Sequence, residues 1–280
     1  MEKIQRALEK ARRQRESGLS SGAVAVGSGH SQREAAVQVP PASLPVVTKT
    51  LAVAPEVLKA HRLVAGIDGV AITDAFRMLR TQVMQRLQGL QASTLAITSP
   101  GAGEGKTLLA ANLAIMLSRF AHFRVLLVDL DLRRPAMHAT FGLPRTKGVT
   151  DILLRDVPVG DCLINPGIER LVLLPCGAGS TMSSELLSSP RMADLAAELK
   201  TRYPDRIVVY DLPPLLLTDD VLVFLKHVEA CLLVVEQGAT HRDAVERCLE
   251  LLQDFNLIGT VLNKSRSARD GYGYGYGYGY

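Results

Sequence analysis

The chain has 280 residues, of which 47% are hydrophobic and 21% charged, with a formal net charge of +4. That length accommodates one α/β domain of about 200 residues plus extended ends, and the composition is that of a globular chain. No apolar run approaches the ~18 residues of a membrane-spanning helix. The charged start, Met1-Glu2-Lys3-Ile4-Gln5-Arg6, lacks a secretory apolar core, and a mild positive charge does not by itself call for nucleic acid. A cytoplasmic protein with no nucleic-acid partner is predicted. Cys162, Cys176, Cys231 and Cys248 are scattered without a Cys-x-x-Cys pair, which predicts reduced, buried thiols and no zinc site.

Residues 1–16 read as a basic amphipathic helix, with Ile4, Ala7, Leu8 and Ala11 on a narrow stripe among Lys and Arg. Such a stripe suits either a partner helix or a solvated end. Residues 17–69 read as a flexible linker, rich in Ser, Gly, Ala, Val and Pro most plainly over 17–60. Order is expected from near Thr73, where Phe76, Leu79, Val83, Leu87 and Leu90 form the apolar face of a helix running to about residue 90. Strands follow at 94–98, 124–129, 171–174, 206–211, 230–236 and 259–263, and helices at 106–119, 190–202, 217–227 and 241–255. Continuous apolar strands separated by helices predict an α/β domain over 70–265, a mainly parallel sheet flanked by helices on both faces. Ligands of such sheets bind at the carboxyl ends of the strands, where Asp129 and Asp211 fall.

Strand 94–98 leads into Ser99-Pro100-Gly101-Ala102-Gly103-Glu104-Gly105-Lys106-Thr107 and then a helix. Glycines let successive N–H groups turn in around a phosphate at the helix N-terminus. Lys106 reaches the β- and γ-phosphates in such a loop, and the Thr107 hydroxyl takes Mg²⁺. This is the P-loop NTPase arrangement with a deviant Walker motif, because Pro100 stands at the first glycine position. The stretch Val128-Asp129-Leu130-Asp131 ends one strand in two carboxylates, and Tyr210-Asp211-Leu212-Pro213-Pro214 ends another in a third. An acid after a strand is often only a turn or cap. Three beside a phosphate loop make a site for ATP and Mg²⁺, with one carboxylate free to accept a proton from an attacking hydroxyl.

The last ten residues are five Gly-Tyr repeats carrying Tyr272, Tyr274, Tyr276, Tyr278 and Tyr280, five of the chain's seven tyrosines. Half glycine, the last ten residues cannot build a core, and residues 266–280 are expected to be disordered. A sticky low-complexity end or an added sequence are two bland readings of such a segment. Beside an ATP site, accessible phenols also make phosphoacceptors. From Lys264 the tail extends roughly 50 Å at about 3.3 Å per residue, far enough to enter a neighbouring subunit.

These motifs resemble those of the bacterial tyrosine kinases (BY-kinases), the autokinases of capsular and extracellular polysaccharide synthesis. The resemblance spans about residues 70–280. It rests on the loop at 99–107, the Val-Asp-Leu-Asp-Leu-Arg-Arg-Pro stretch at 128–135, Val-Tyr-Asp-Leu-Pro-Pro at 209–214 and the tyrosine tail. His138, Phe141-Gly142-Leu143 and Gly148-Val149-Thr150 add to it. The family's loop commonly lacks the first glycine, as here. The resemblance implies Lys106 and Thr107 on ATP·Mg²⁺, Asp129, Asp131 and Asp211 around the metal and the attacking phenol, and the tail tyrosines as acceptors. It also implies Asn263 near the adenine. Asp74, Arg77 and Arg80 correspond to the family's Glu-x-x-Arg-x-x-Arg, used in ring-like self-association, with Asp shorter than Glu by one methylene. A separate membrane-bound chain-length partner as activator, recruitment by it to the inner face of the membrane, and a cognate tyrosine phosphatase are implied as well.

Two rival functions share the fold. A partition or septum-positioning ATPase carries an extra loop lysine where this chain has Gly101, and has no use for a tyrosine tail. A catalytically dead scaffold would bind nucleotide without phosphotransfer or turnover.

Overall fold

The computed structural model describes residues 48–65, 70–202 and 205–265. The expected N-terminal helix at 1–16, the linker up to residue 47 and the tyrosine tail lie outside the described residues.

Eight strands form one sheet: β1 (Lys49–Thr50), β2 (Thr94–Thr98), β3 (Arg124–Asp129), β4 (Ile164–Asn165), β5 (Leu171–Leu174), β6 (Arg206–Asp211), β7 (Ala230–Glu236) and β8 (Leu257–Asn263). Their order is β1-β4-β5-β3-β6-β2-β7-β8. All neighbours pair in parallel except β4 with β5. The five central strands start and end where the apolar runs predict, and β8 begins two residues earlier than expected.

Period-2 alternation divides each central strand between two cores. Leu95, Ile97, Val125, Leu127, Val209 and Leu232 pack against the helices Val70–Leu90 and Lys106–Ser118. Ala96, Leu126, Val128, Val208, Tyr210 and Leu233 face the other way. There they meet the helices Pro190–Thr201, Asp220–Leu225 and Arg242–Leu251, with Tyr210 edge-on to Phe224 at 4.9 Å between centroids. Helix Lys106–Ser118 is buried over nearly its whole length. Its Ala, Leu and Met residues are good helix formers, and each large one removed from water contributes about 1.5–3 kcal/mol.

The linker expectation fails over residues 48–65, and ordered structure starts well before Thr73. β1 joins the sheet edge, Pro55–Ala60 is helical, and Leu58, Leu63 and Val64 are buried in the first core. Asn112, itself buried, holds this strap. Its Oδ1 accepts from Val64 N at 2.8 Å and its Nδ2 donates to Arg62 O at 3.2 Å. The strap's contacts are long-range and its apolar residues too few for a periodic pattern, so composition alone made it look like linker.

Candidate nucleotide and phosphotransfer site

The loop after β2 curls tightly into helix Lys106–Ser118. Gly103 and Gly105 take φ of +81° and +90°, a region that side chains resist. A Cβ on Gly105 would come within 2.3 Å of Asn263 Nδ2. Two side chains at the end of β8 clamp the loop's backbone: Asn263 Nδ2 donates to Glu104 O and Lys264 Nζ to Gly103 O, both at 2.8 Å. Lys264 also pairs with Glu236 at 2.8 Å. Asn263, expected near the adenine, therefore has its amide nitrogen committed to the loop. Glu104 turns its carboxylate inward, where Oε1 accepts from Gly101 N at 3.0 Å. Burial pushes its pKa up against that hydrogen bond. Ser99 is buried and its hydroxyl donates to Gly101 O at 2.7 Å. Both side chains support the loop from within.

The three acids predicted at strand ends converge on Lys106. Asp129 and Asp211 are register partners on the adjacent strands β3 and β6, and β6 also pairs with β2, from which the loop springs. Lys106 Nζ donates to Asp131 Oδ2 at 2.8 Å and lies 3.9 Å from Asp211 Oδ1. Its own burial lowers its pKa, but Asp211 and Asp131 outweigh that and hold the ammonium above its usual range. Asp129 accepts from the backbone N–H groups of Asp131 (3.2 Å) and Met137 (3.1 Å). Burial first, then Asp211, pushes its pKa up to about 8. Asp211 is wholly buried, with Lys106 Nζ and the Thr107 hydroxyl as the polar groups beside its carboxylate. Its pKa is also raised by burial, with Lys106 and the Thr107 hydroxyl pulling the other way.

Beside these groups opens a cleft of ≈ 550 Å³, lined by Gly103, Gly105, Lys106 and Thr107 together with Arg133, Arg134, Pro213 and Leu217. Asp131 lines it too, whereas Asp129 and Asp211 do not. Thr98 Oγ1 donates to Pro213 O at 2.7 Å, joining the phosphate-loop strand to the Pro-Pro segment. A metal fits here on chemical grounds. The buried carboxylate oxygens of Asp211 and the hydroxyl of Thr107 are hard donors of the kind Mg²⁺ takes alongside phosphates and water. Among the described residues no group of three or more His, Cys, Asp or Glu forms a ready-made metal cage.

On helix Val70–Leu90, Arg77 and Asp74 pair with each other at 2.6 Å on the exposed surface. Arg80 is half-buried. Its guanidinium stacks 4.2 Å over Phe120 and reaches Met116 O at 3.5 Å. A cation over an aromatic face at the end of a buried helix is favoured over full solvation. The four cysteines are free and buried, and burial pushes the thiols of Cys162 and Cys248 up to about 11. Sequence reasoning missed three contributors: the 48–65 strap, Lys264, and the buried Asp220 that pairs with Arg133. Only the Asn-Lys doublet at the end of the last strand left a local trace.

The geometry defines an α/β nucleotide-binding domain, and residues 95–272 match the family model of the CobQ/CobB/MinD/ParA nucleotide binding domain. The chain is 32% identical over 199 residues to tyrosine-protein kinase YwqD of Bacillus subtilis strain 168, covering 70% of this chain and 83% of that protein. The chimerical protein CapA2B2 is structurally similar with TM-score 0.68 and 29% identity, over 78% of this chain and 93% of that one. The kinase domain of Escherichia coli tyrosine kinase ETK gives TM-score 0.65 and 28% identity, over 73% and 80%. The chain belongs to the bacterial tyrosine-protein kinases.

Proposed function

We propose that this chain is an ATP-dependent protein-tyrosine autokinase that phosphorylates its own C-terminal tyrosines, Tyr272 to Tyr280, on a neighbouring subunit of a ring-like homo-oligomer. The observation that carries the reading is Lys106 held between Asp131 and Asp211 in the lining of a cleft that Asp131 lines as well. Backbone N–H groups of the loop and helix N-terminus bind the phosphates, and Lys106 swings from Asp131 to them. Thr107, Asp211 and Asp129 would hold Mg²⁺, which when bound supplies charge neutralisation to the phosphates.

A phenol has a pKa near 10 and attacks poorly at pH 7. Asp131, the acid that lines the cleft, orients the tyrosine hydroxyl and accepts its proton. Asp129 and Asp211 set the field behind it. Gly101, in place of a second loop lysine, and the tail together favour a kinase over a partition-type ATPase. Control of exopolysaccharide or capsule synthesis, through a membrane-bound activator and a cognate phosphatase, is the setting this reading assigns. Among the described residues no helix is long and apolar enough to cross a membrane.

Incubation with ATP and Mg²⁺ followed by mass spectrometry of the tail tests the reading. Phosphotyrosine within 272–280 is expected in wild type and not in Lys106→Met. ATP hydrolysis without tail phosphate would overturn it in favour of the ATPase.

A further inference from the structure

Asp220, in the first turn of helix Asp220–Leu225, is fully buried, and neither of its carboxylate oxygens accepts a hydrogen bond. Its ion-pair partner is Arg133, whose Nε lies 3.4 Å from Asp220 Oδ2. The same Nε donates to Ser183 Oγ at 2.8 Å, and Ser183 is also fully buried. A buried carboxylate without hydrogen bonds is costly unless a cation stands beside it. The cation here is not itself buried: the Arg133 side chain is 44% exposed and lines the nucleotide cleft. Two buried groups thus grip one edge of an arginine whose remainder belongs to the site.

Its charge has a use that Lys106 cannot supply. Lys106 is the cation of the phosphate loop and already faces three carboxylates. The cleft must also receive a phenol whose oxygen gains negative charge as it loses its proton. Its lining sets Arg133 together with Pro213, Pro214 and the exposed Leu217, apolar groups suited to a ring.

We propose that Arg133 is a catalytic residue on the acceptor side, binding the tyrosine oxygen and the phosphoryl group passing to it, and that Asp220 with Ser183 is its positioning pair. The proposal rests on the kinase reading. The phenol oxygen forms a bond to the γ-phosphorus while the bond from that phosphorus to the β–γ bridging oxygen breaks. ADP leaves with the electron pair, and the phenolic proton goes to Asp131. The planar guanidinium spans the acceptor oxygen and a phosphoryl oxygen together, which a lysine cannot do.

The test uses full-length protein as both enzyme and acceptor. The enzyme has Tyr272, Tyr274, Tyr276, Tyr278 and Tyr280 replaced by Phe, and the acceptor carries Lys106→Met with its tail intact. In the enzyme, Arg133→Ala is expected to lower kcat/KM for the acceptor about 10²-fold or more with ATP affinity unchanged, and Arg133→Lys to restore only part. Asp220→Asn should lower acceptor kcat/KM as well, yet add nothing in the Arg133→Ala background. Ser183→Ala serves the same comparison if Asp220→Asn does not fold. Unchanged acceptor kinetics in Arg133→Ala, or an equal loss of ATP affinity, would overturn the acceptor role. An Asp220→Asn loss of the same size with and without Arg133 would overturn the positioning role. If the enzyme with Arg133 intact leaves the acceptor unphosphorylated, the kinase reading itself fails and this proposal with it.

Discussion

Three carboxylates around one lysine set a conflict at Asp211 between stability and the proposed function. It is wholly buried, and its folded-state pKa lies above the usual carboxylate value. For a carboxylate shifted upward, the native state binds more protons than the unfolded chain between the two pKa values, so stability falls as pH rises through that window. The unfolded value is about 3.9, and the neighbouring Asp129 is pushed up to about 8. The nucleotide-free domain should therefore lose stability steadily between about pH 4 and pH 8. Asp211→Asn removes one of these charges. Its Tm without nucleotide is expected to exceed wild type, by more at pH 8 than at pH 5, while tail phosphorylation falls at least ~10²-fold. Differential scanning calorimetry at the two pH values checks this, and a variant less stable than wild type at pH 8 would rule the conflict out.

At the scale of elements, the strap is the part of the domain with least local reason to exist. β1 is two residues long and helix Pro55–Ala60 six, both shorter than isolated elements tolerate. Their stability comes from Leu58, Leu63 and Val64 in the core and from the Asn112 side chain. Asn112→Ala would leave the buried Val64 N–H without its acceptor, costing about 1–3 kcal/mol, at about 2–4 °C of Tm per kcal/mol in a domain of this size. An unchanged Tm would mean that Asn112 does not fasten the strap. The strap also reaches the back of the nucleotide cleft, since His61 Nδ1 lies 3.0 Å from the backbone oxygen of Thr140, a cleft residue. The helix pairing of Asp74 with Arg77 is a weaker feature, because an exposed i,i+3 ion pair contributes little by itself.

For the whole molecule, charge sets what the proposed phosphorylation of the tail would do. The chain carries +4, and each phosphotyrosine adds about −1.5 to −2, so modification of all five tail tyrosines makes it net negative. Modified tails are then repelled by each other and by the acids around Lys106. The expected outcome is a smaller particle by light scattering for phosphorylated protein than for dephosphorylated protein at the same concentration. Equal masses would show that the tail's charge does not govern assembly.

The central strands and the site acids were legible in the amino-acid order because their signals are local. A doubly covered parallel strand must be continuously apolar, and a phosphate loop must carry glycines at fixed spacing before Lys106. Acids at the ends of two such strands fall beside the loop whenever β3, β6 and β2 are neighbours. The sequence by itself thus determined the α/β class, the loop, and Asp129, Asp131 and Asp211 as one group. Only the tertiary structure decided which acid reaches the cleft, that Asn263 and Lys264 clamp the loop, that Arg80 turns onto Phe120, and that Asp220 grips Arg133. Each of these pairs residues distant in sequence, and chain folding in three dimensions, not periodicity or composition, sets which distant groups meet.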